Sequence, residues 1–429
     1  MSRPLRSLGR AENSGAVPVS CRAVPCRAVF QMKVKLHIVS LYATILALKI
    51  RHFWQQRLDQ GLRRRSVLWL SGVRRVGKTV LCRSLPNAEY FDCELPRIRR
   101  IWDDPESTLS EFRKRTIVLD EIHRLDNPSE LLKIAADHFP DTRVVATGSS
   151  TLGASAKFRD TLAGRKVELW LTPMMTTDLD DFGRPALDHR LLRGGLPPFF
   201  LADDPAEHDF QEWMDAYWAK DIQELFRLER RHSFQRFVEL LLTQSGGLFE
   251  ATAFARPCEV SRTTISNYLA VLEATFVAHV LRPFSTHRAA EIIAAPKVYA
   301  FDTGFVTYYR GWSDLRRDDR GLLWEHFVLN ELHAHLQTRD IRYWRDKRGH
   351  EVDFVWAKHG EEPVAIECTW SASDFDPSNV KAFRYQYPSG ETFVVAHDVT
   401  RAYRREYGDL HVRFVGLRHL VQHLTPVGA

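Results

Sequence analysis

The chain has 429 residues, 44% of them hydrophobic, which is more than one compact core accommodates and points to two or three domains. Its 60 basic and 54 acidic side chains leave a formal charge of +6, so a nucleic-acid partner is permitted but not demanded. Six cysteines (Cys21, Cys26, Cys82, Cys93, Cys258, Cys368) without CxxC spacing argue against a disulfide scaffold or zinc ribbon and fit a reducing cytoplasm, and no run approaches the ~18 apolar residues of a membrane span.

Residues 1–35 include the near-repeat CRAVPCRAV and show no helical or strand period, so they are expected to be a disordered extension, with a start at Met32 as an alternative. LHIVSLYATILALKI follows, and the basic segment IRHFWQQR stands after it in place of a cleavage site. Residues 36–60 therefore read as an amphipathic helix leading into the first strand. From residue 67 short apolar runs alternate with helical stretches, the pattern of a parallel sheet covered by helices. VLWL, EYFDCEL, RTIVLDEI, TRVVATGSS and KVELWLTPM are the expected strands, with KTVLCRSL and PSELLKIAADHF among the helices between them. The glycines and prolines of LRGGLPPFF break regular structure and close a nucleotide domain at 36–200. A helix-rich region at 201–295 follows, then an α/β domain at 296–429 with strands at IRYWRD, EVDFVWAK, PVAIECTW, TFVVAHD and VRFVGL.

Gly72, Val73, Arg74, Arg75, Val76, Gly77, Lys78 and Thr79, with Val80 after them, match G-x-x-x-x-G-K-[ST] between an apolar strand and a helix. The glycines let backbone N–H groups curl around phosphates, Lys78 reaches the β/γ oxygens, and the Thr79 hydroxyl can bind Mg²⁺. Arg74 and Arg75 occupy variable positions for which phosphate chemistry asks nothing specific. The strand TIVLDE ends on Asp120, suited to hold Mg²⁺, and Glu121, suited to orient and deprotonate the attacking water. The plainer reading of that acidic pair is a helix cap. Ser149 or Ser150, at the end of VVATGSS, is a candidate hydroxyl near the γ-phosphate, with Thr147 and Gly148 read as a turn. Arg159 and Arg165 are candidate arginine fingers, in this chain or in a neighbouring copy, so a homo-oligomer is one expected partner. A solvated surface arginine is the alternative for each.

GVRRVGKT, VLDEIHRL, TGSS, TLAGR followed by a strand and Pro173, and GGLPPFF occur in this order. Over residues 55–400 the chain resembles the prokaryotic AAA+-type ATPases that carry a C-terminal domain of unknown function. The resemblance implies an AAA+-like P-loop NTPase domain binding ATP, and no N-K-x-D motif for GTP follows the site. It also implies a winged helix-turn-helix in the middle region and a restriction-endonuclease-like α/β domain after it.

In the middle region a turn at Glu259-Val260-Ser261 precedes a helix with Ile265, Leu269 and Leu272 inward and Arg262, Thr263, Ser266 and Asn267 outward. That outward face suits phosphates and base edges, so residues 256–272 are an expected DNA contact, with protein contact as the competing reading. In the last domain the resemblance implies a second metal set of Glu325, Asp353 and Glu367 around a scissile phosphate. Here the chain departs from the pattern, because Thr369 stands where the E-x-K signature has lysine. Threonine brings no positive charge, and nothing in the sequence places Lys347 or Arg348 in its stead, so nuclease activity is expected to be lost. The combined expectation is a cytoplasmic, Mg²⁺-dependent ATPase with no membrane partner, coupling turnover to DNA-associated action of its C-terminal domains. An ATP-gated scaffold for another protein and a nucleotide-dependent nuclease are the alternatives.

Overall fold

Five of the apolar runs are strands: β1 (Val67–Ser71), β2 (Ala88–Asp92), β3 (Thr116–Asp120), β4 (Arg143–Gly148) and β5 (Lys166–Trp170). They form one sheet in the order β2-β3-β4-β1-β5, every neighbouring pair parallel. The computed structural model describes residues 49–150, 162–184, 186–202, 207–226, 228, 230–286, 295–358 and 360–425. Residues 1–48, with Cys21 and Cys26, and the candidate finger Arg159 lie outside the described residues.

The central strands β1, β3 and β4 read as near-continuous apolar runs because both faces of the sheet are covered there. Leu68, Leu70, Val118 and Val145 pack on one side, with Trp54, Leu58 and Leu62 of the helix His52–Arg64. Val67, Trp69, Ile117 and Val144 pack on the other, with Leu131, Leu132 and Ala135 of the helix Pro128–His138. The register sets Ser71 beside Gly148 and Asp92 beside Asp120, so the carboxyl ends of β1, β3 and β4 open on one edge.

LRGGLPPFF breaks the chain only at 194–196 and holds more helix than expected: Leu187–Arg193 before the break and Pro197–Leu201 after it. Pro197 fits because a first-turn N–H has no helical partner in any case. The glycines answer a close approach. A Cβ on Gly194, at φ 85, would lie 2.0 Å from Asp302 Oδ1, and one on Gly195 would lie 2.4 Å from an Arg190 nitrogen. Asp302 accepts the Gly195 N–H at 2.6 Å and lies 3.7 Å from Arg190, both side chains 1% exposed.

The helical region contains Glu207–Ala216, a π-helical turn Tyr217–Ile222, Gln223–Phe226, Arg231–Thr243, Ala251–Ala255 and Arg262–Ala274. It carries an antiparallel sheet, β6 (Gly247–Leu248), β7 (Ala278–Leu281) and β8 (Lys297–Ala300), in the order β6-β8-β7. The boundary expected at 296 therefore falls inside this sheet.

The last domain opens with the helix Arg317–Leu336 and continues as β9 (Ile341–Arg345), β10 (Glu351–Trp356), β11 (Val364–Thr369), β12 (Thr392–Ala396), β13 (Tyr403–Tyr407) and β14 (Leu410–Val415). The mixed sheet has the order β13-β14-β12-β11-β10-β9, and β13, a largely exposed edge rich in charged residues, is a strand beyond those expected from the sequence. Among the described residues no helix is long and apolar enough to cross a membrane, and Cys82, Cys93, Cys258 and Cys368 are free thiols.

The long helix docks on the first sheet. Gln337 accepts the Trp170 N–H at 2.7 Å and donates to Trp170 O at 3.1 Å, and Asn330 donates to Pro173 O at 3.1 Å. Burial of this helix pushes His326 down to about 4 and His333 down to about 3. The folded chain holds both rings neutral while the unfolded chain protonates them near the ordinary 6.5. Stability is thus full above that value and falls as pH drops toward 4, by on the order of 2 kcal/mol per ring at pH 5. Thermal midpoints between pH 7.5 and 5 should show the fall, and His333→Gln should shallow it; an unchanged slope in the variant would refute the assignment.

Candidate functional site

The loop after β1 has a backbone that only its own residue types permit. Gly72 sits at φ 146, where a Cβ would approach Leu171 O to 2.4 Å, and Gly77 sits at φ 104. Arg75 adopts the left-handed region at φ 63 without being glycine, local strain of a kind found at ligand sites. Val73 and Val76 are buried and anchor the loop in the core, while Val80 is exposed. Lys78 is buried, and its ammonium donates to Gly72 O at 2.7 Å and Val73 O at 3.2 Å. Burial draws its pKa below the ordinary lysine value against the opposing pull of Glu121 and Asp221.

The carboxylates stand opposite. Asp120 accepts from the Thr79 hydroxyl at 2.8 Å, from the Thr147 hydroxyl at 2.5 Å, and from the Tyr90 hydroxyl. Because β4 lies between β1 and β3, its Thr147 falls between the loop and the acidic pair. Glu121, itself at φ 54, donates its N–H to Thr147 Oγ1 at 2.9 Å and has His123 Nδ1 3.3 Å from its carboxylate. Burial pushes the Glu121 carboxyl up to about 7, Asp221 and Asp120 adding to the shift and Lys78 opposing it. The structure therefore gathers Lys78, Thr79, Asp120 and Glu121 at one edge, and adds Tyr90, His123, Thr147 and Asp221, which sequence reasoning did not assign. Ser149 and Ser150, both buried, lie just beyond the end of β4.

Arg165 is elsewhere. It precedes β5, where Lys166 pairs with Val67 at the start of β1, and its Nε donates to Asp137 at 2.8 Å. Four residue steps of β1, about 13 Å of strand, separate that edge from the loop. Within this chain Arg165 is not part of the phosphate site.

In the last domain Glu325 lies close enough to Asp353 and Glu367 to raise both, but a fourth side chain stands among them. Lys297 of β8 donates to Glu351 at 2.6 Å and Glu325 at 3.2 Å, and the Tyr299 hydroxyl donates to Glu325. Burial opposes the Lys297 charge, yet Glu325, Asp353 and Glu351 hold its pKa above the ordinary value. Burial, then Glu325, pushes Asp353 well up, and burial, then Asp353, does the same to Glu367. Among the described residues no group of three or more His, Cys, Asp and Glu side chains is arranged to hold a metal ion. The ammonium beside these carboxylates comes from Lys297, not from Lys347 or Arg348.

The helix Arg262–Ala274 is capped by Ser261, whose Oγ accepts the Thr264 N–H at 3.1 Å. Ile265, Leu269 and Leu272 are buried, and Arg262, Thr263, Ser266 and Asn267 are exposed. Arg262 and Ser266 line a cleft with Arg282 of the segment after β7.

Comparison with known proteins gives three family matches: "AAA domain" at residues 64–179, "Domain of unknown function (DUF8612)" at 184–316 and "Domain of unknown function (DUF4143)" at 320–417. The chain is 32% identical over 324 residues to an uncharacterized protein of Mycobacterium tuberculosis and to one of Mycobacterium bovis, covering 72% of this chain and 72% of each relative. It is similar to a solved Walker-type ATPase of Pyrococcus abyssi, with 16% identity and a TM-score of 0.40 over 60% of this chain and 94% of that one.

Proposed function

Because the chain belongs to the family of AAA-type P-loop ATPases with a C-terminal DUF4143 domain, we propose that it binds ATP at residues 72–79 and hydrolyses it with Mg²⁺ held by Thr79 and Asp120. The observation that carries this reading is the 2.8 Å contact between the Thr79 hydroxyl and the Asp120 carboxylate, which brings two oxygen ligands to one point beside Lys78. Mg²⁺ held there would supply charge neutralisation for the phosphate oxygens. Lys78 exchanges its two loop carbonyls for phosphate oxygens, and Glu121 accepts the proton of the attacking water. Arg165, remote from its own loop, fits as a finger only toward a neighbouring copy, which makes a homo-oligomer part of this reading. Phosphate release from ATP that requires Mg²⁺ and stops with chelator is the expected result. Purified protein that neither binds nor hydrolyses ATP would end the proposal.

What turnover serves is read from the helix Arg262–Ala274. Its exposed Arg262, Thr263, Ser266 and Asn267, with β7 and β8 following in the chain, support reading it as the recognition helix of a winged helix suited to duplex DNA. The ATPase would then couple its nucleotide state to DNA-associated action. Duplex binding should weaken steeply between about 50 and 200 mM salt, and Arg262→Ala should lower the salt slope by about 1. No duplex binding at low salt excludes this use and favours an ATP-gated protein scaffold. Stimulation of ATP turnover by duplex DNA separates the two in the other direction.

A further inference from the structure

The loop arginines, which phosphate chemistry leaves unassigned, are both held by the helical region. Arg74 Nε donates to Asp221 at 2.6 Å, and Arg75 donates to Glu212 at 2.7 Å. Glu212 stands on the helix Glu207–Ala216 and Asp221 on the π-helical turn that continues it. Trp213, fully buried, donates from Nε1 to Arg74 O at 3.3 Å. The two ion pairs are unequal. Arg75 and Glu212 are 31% and 62% exposed, so water screens them, whereas the Asp221 side chain is 2% exposed.

Asp221 has a second oxygen, Oδ1, buried without a hydrogen-bond partner. A buried carboxylate with one oxygen covered keeps charge that its surroundings must accommodate. Its field reaches the site, since Asp221 acts on both Lys78 and Glu121. A fixed negative charge there opposes any incoming anion, and ATP brings a triphosphate to the loop that Arg74 belongs to. The turn bearing Asp221 is π-helical, a geometry that is rare and clusters at functional sites. At its other end the Tyr217 hydroxyl shares a 2.6 Å hydrogen bond with Thr275 Oγ1, at the end of the helix Arg262–Ala274. One short turn thus touches the loop with one end and the helix with the exposed polar face with the other.

We propose that Asp221 is a latch on the nucleotide site: it holds Arg74 against the helical region in the free protein, and the triphosphate draws Arg74 off it, releasing the π-helical turn from the loop. The proposal rests on the ATP-binding reading above and assigns Asp221 as a positioning residue that acts through Arg74. ATP affinity and the attachment of the helical region then oppose each other, and whatever loosens one strengthens the other.

Two measurements test it. Asp221→Asn keeps the shape and removes the charge, so a non-hydrolysable ATP analogue with Mg²⁺ should bind about tenfold tighter, equivalent to about 1.4 kcal/mol. Asp221→Glu should return the affinity to that of the unmodified protein. A merely structural residue would give equal or weaker binding on substitution, and that result for Asp221→Asn overturns the latch. Hydrogen exchange on the unmodified protein needs no variant to fold: the analogue should slow exchange at residues 72–79 and speed it at Tyr217–Ile222. Loop protection with an unchanged or slower turn overturns the latch and leaves ATP binding standing. No protection at the loop overturns both.

Discussion

Lys78→Ala is expected to lower ATP turnover by about 10²–10³-fold, the effect of removing one preorganised donor from a transition-state charge site. The side chain is buried and held by Gly72 O and Val73 O, so its amine already lies along the loop that would wrap the phosphates. Alanine removes the only ammonium of the loop, so ATP affinity should fall together with turnover. Glu121→Gln separates binding from chemistry. It keeps the size and the charge-free form that burial already favours, so ATP binding should persist while water activation is lost. Single-turnover phosphate release with both variants is the check, and a Glu121→Gln protein hydrolysing at the unmodified rate would remove Glu121 from the role of base.

Asp302→Ala is expected to destabilise the fold by about 3–5 kcal/mol, the range for stripping one partner from a buried ion pair. The carboxylate faces Arg190 at 3.7 Å and accepts the N–H groups of Gly195 at 2.6 Å and Gly304 at 3.0 Å. Its removal leaves a guanidinium that is 1% exposed without its counter-charge, although Met174 O at 2.7 Å and Thr303 Oγ1 at 2.8 Å still accept from it. Asp302→Asn keeps an acceptor for the N–H groups and should lose less. Thermal midpoints of the two variants should rank in that order, and equal midpoints would mean that accepting the Gly195 and Gly304 N–H groups contributes little beyond the charge.

The nucleotide domain was legible because its signals are local. The central strands β1, β3 and β4 are runs buried on both faces, and the loop is a contiguous pattern whose glycines meet positive φ. What the sequence hid depends on elements far apart in the chain. Thr147 looked like part of a turn because Gly148 follows it, and only the strand order β3-β4-β1 shows that its hydroxyl points at Asp120. Arg165 kept its candidacy until the register of β5 against β1 put it at the opposite edge of the sheet. Asp221 left a faint signal, an acid on the same helical face as Tyr217, Trp218 and Ile222, all buried. Thr369 leaves the E-x-K position uncharged, and the ammonium in that cluster comes from a strand of another sheet, which no local spacing reveals.

Strand β8 is four residues long, yet it pairs with β6 and β7, sends Lys297 among the carboxylates of the last domain, and leads two residues on to Asp302 against the nucleotide domain. Units of inheritance and units of folding therefore do not coincide here. A fragment cut at residue 320, where the last family match begins, would keep Glu325, Glu351, Asp353 and Glu367 but lose the amine that sits among them. Such a piece would have to protonate its own acids, admit water or unravel around them, and its behaviour in isolation would describe the cut more than the protein.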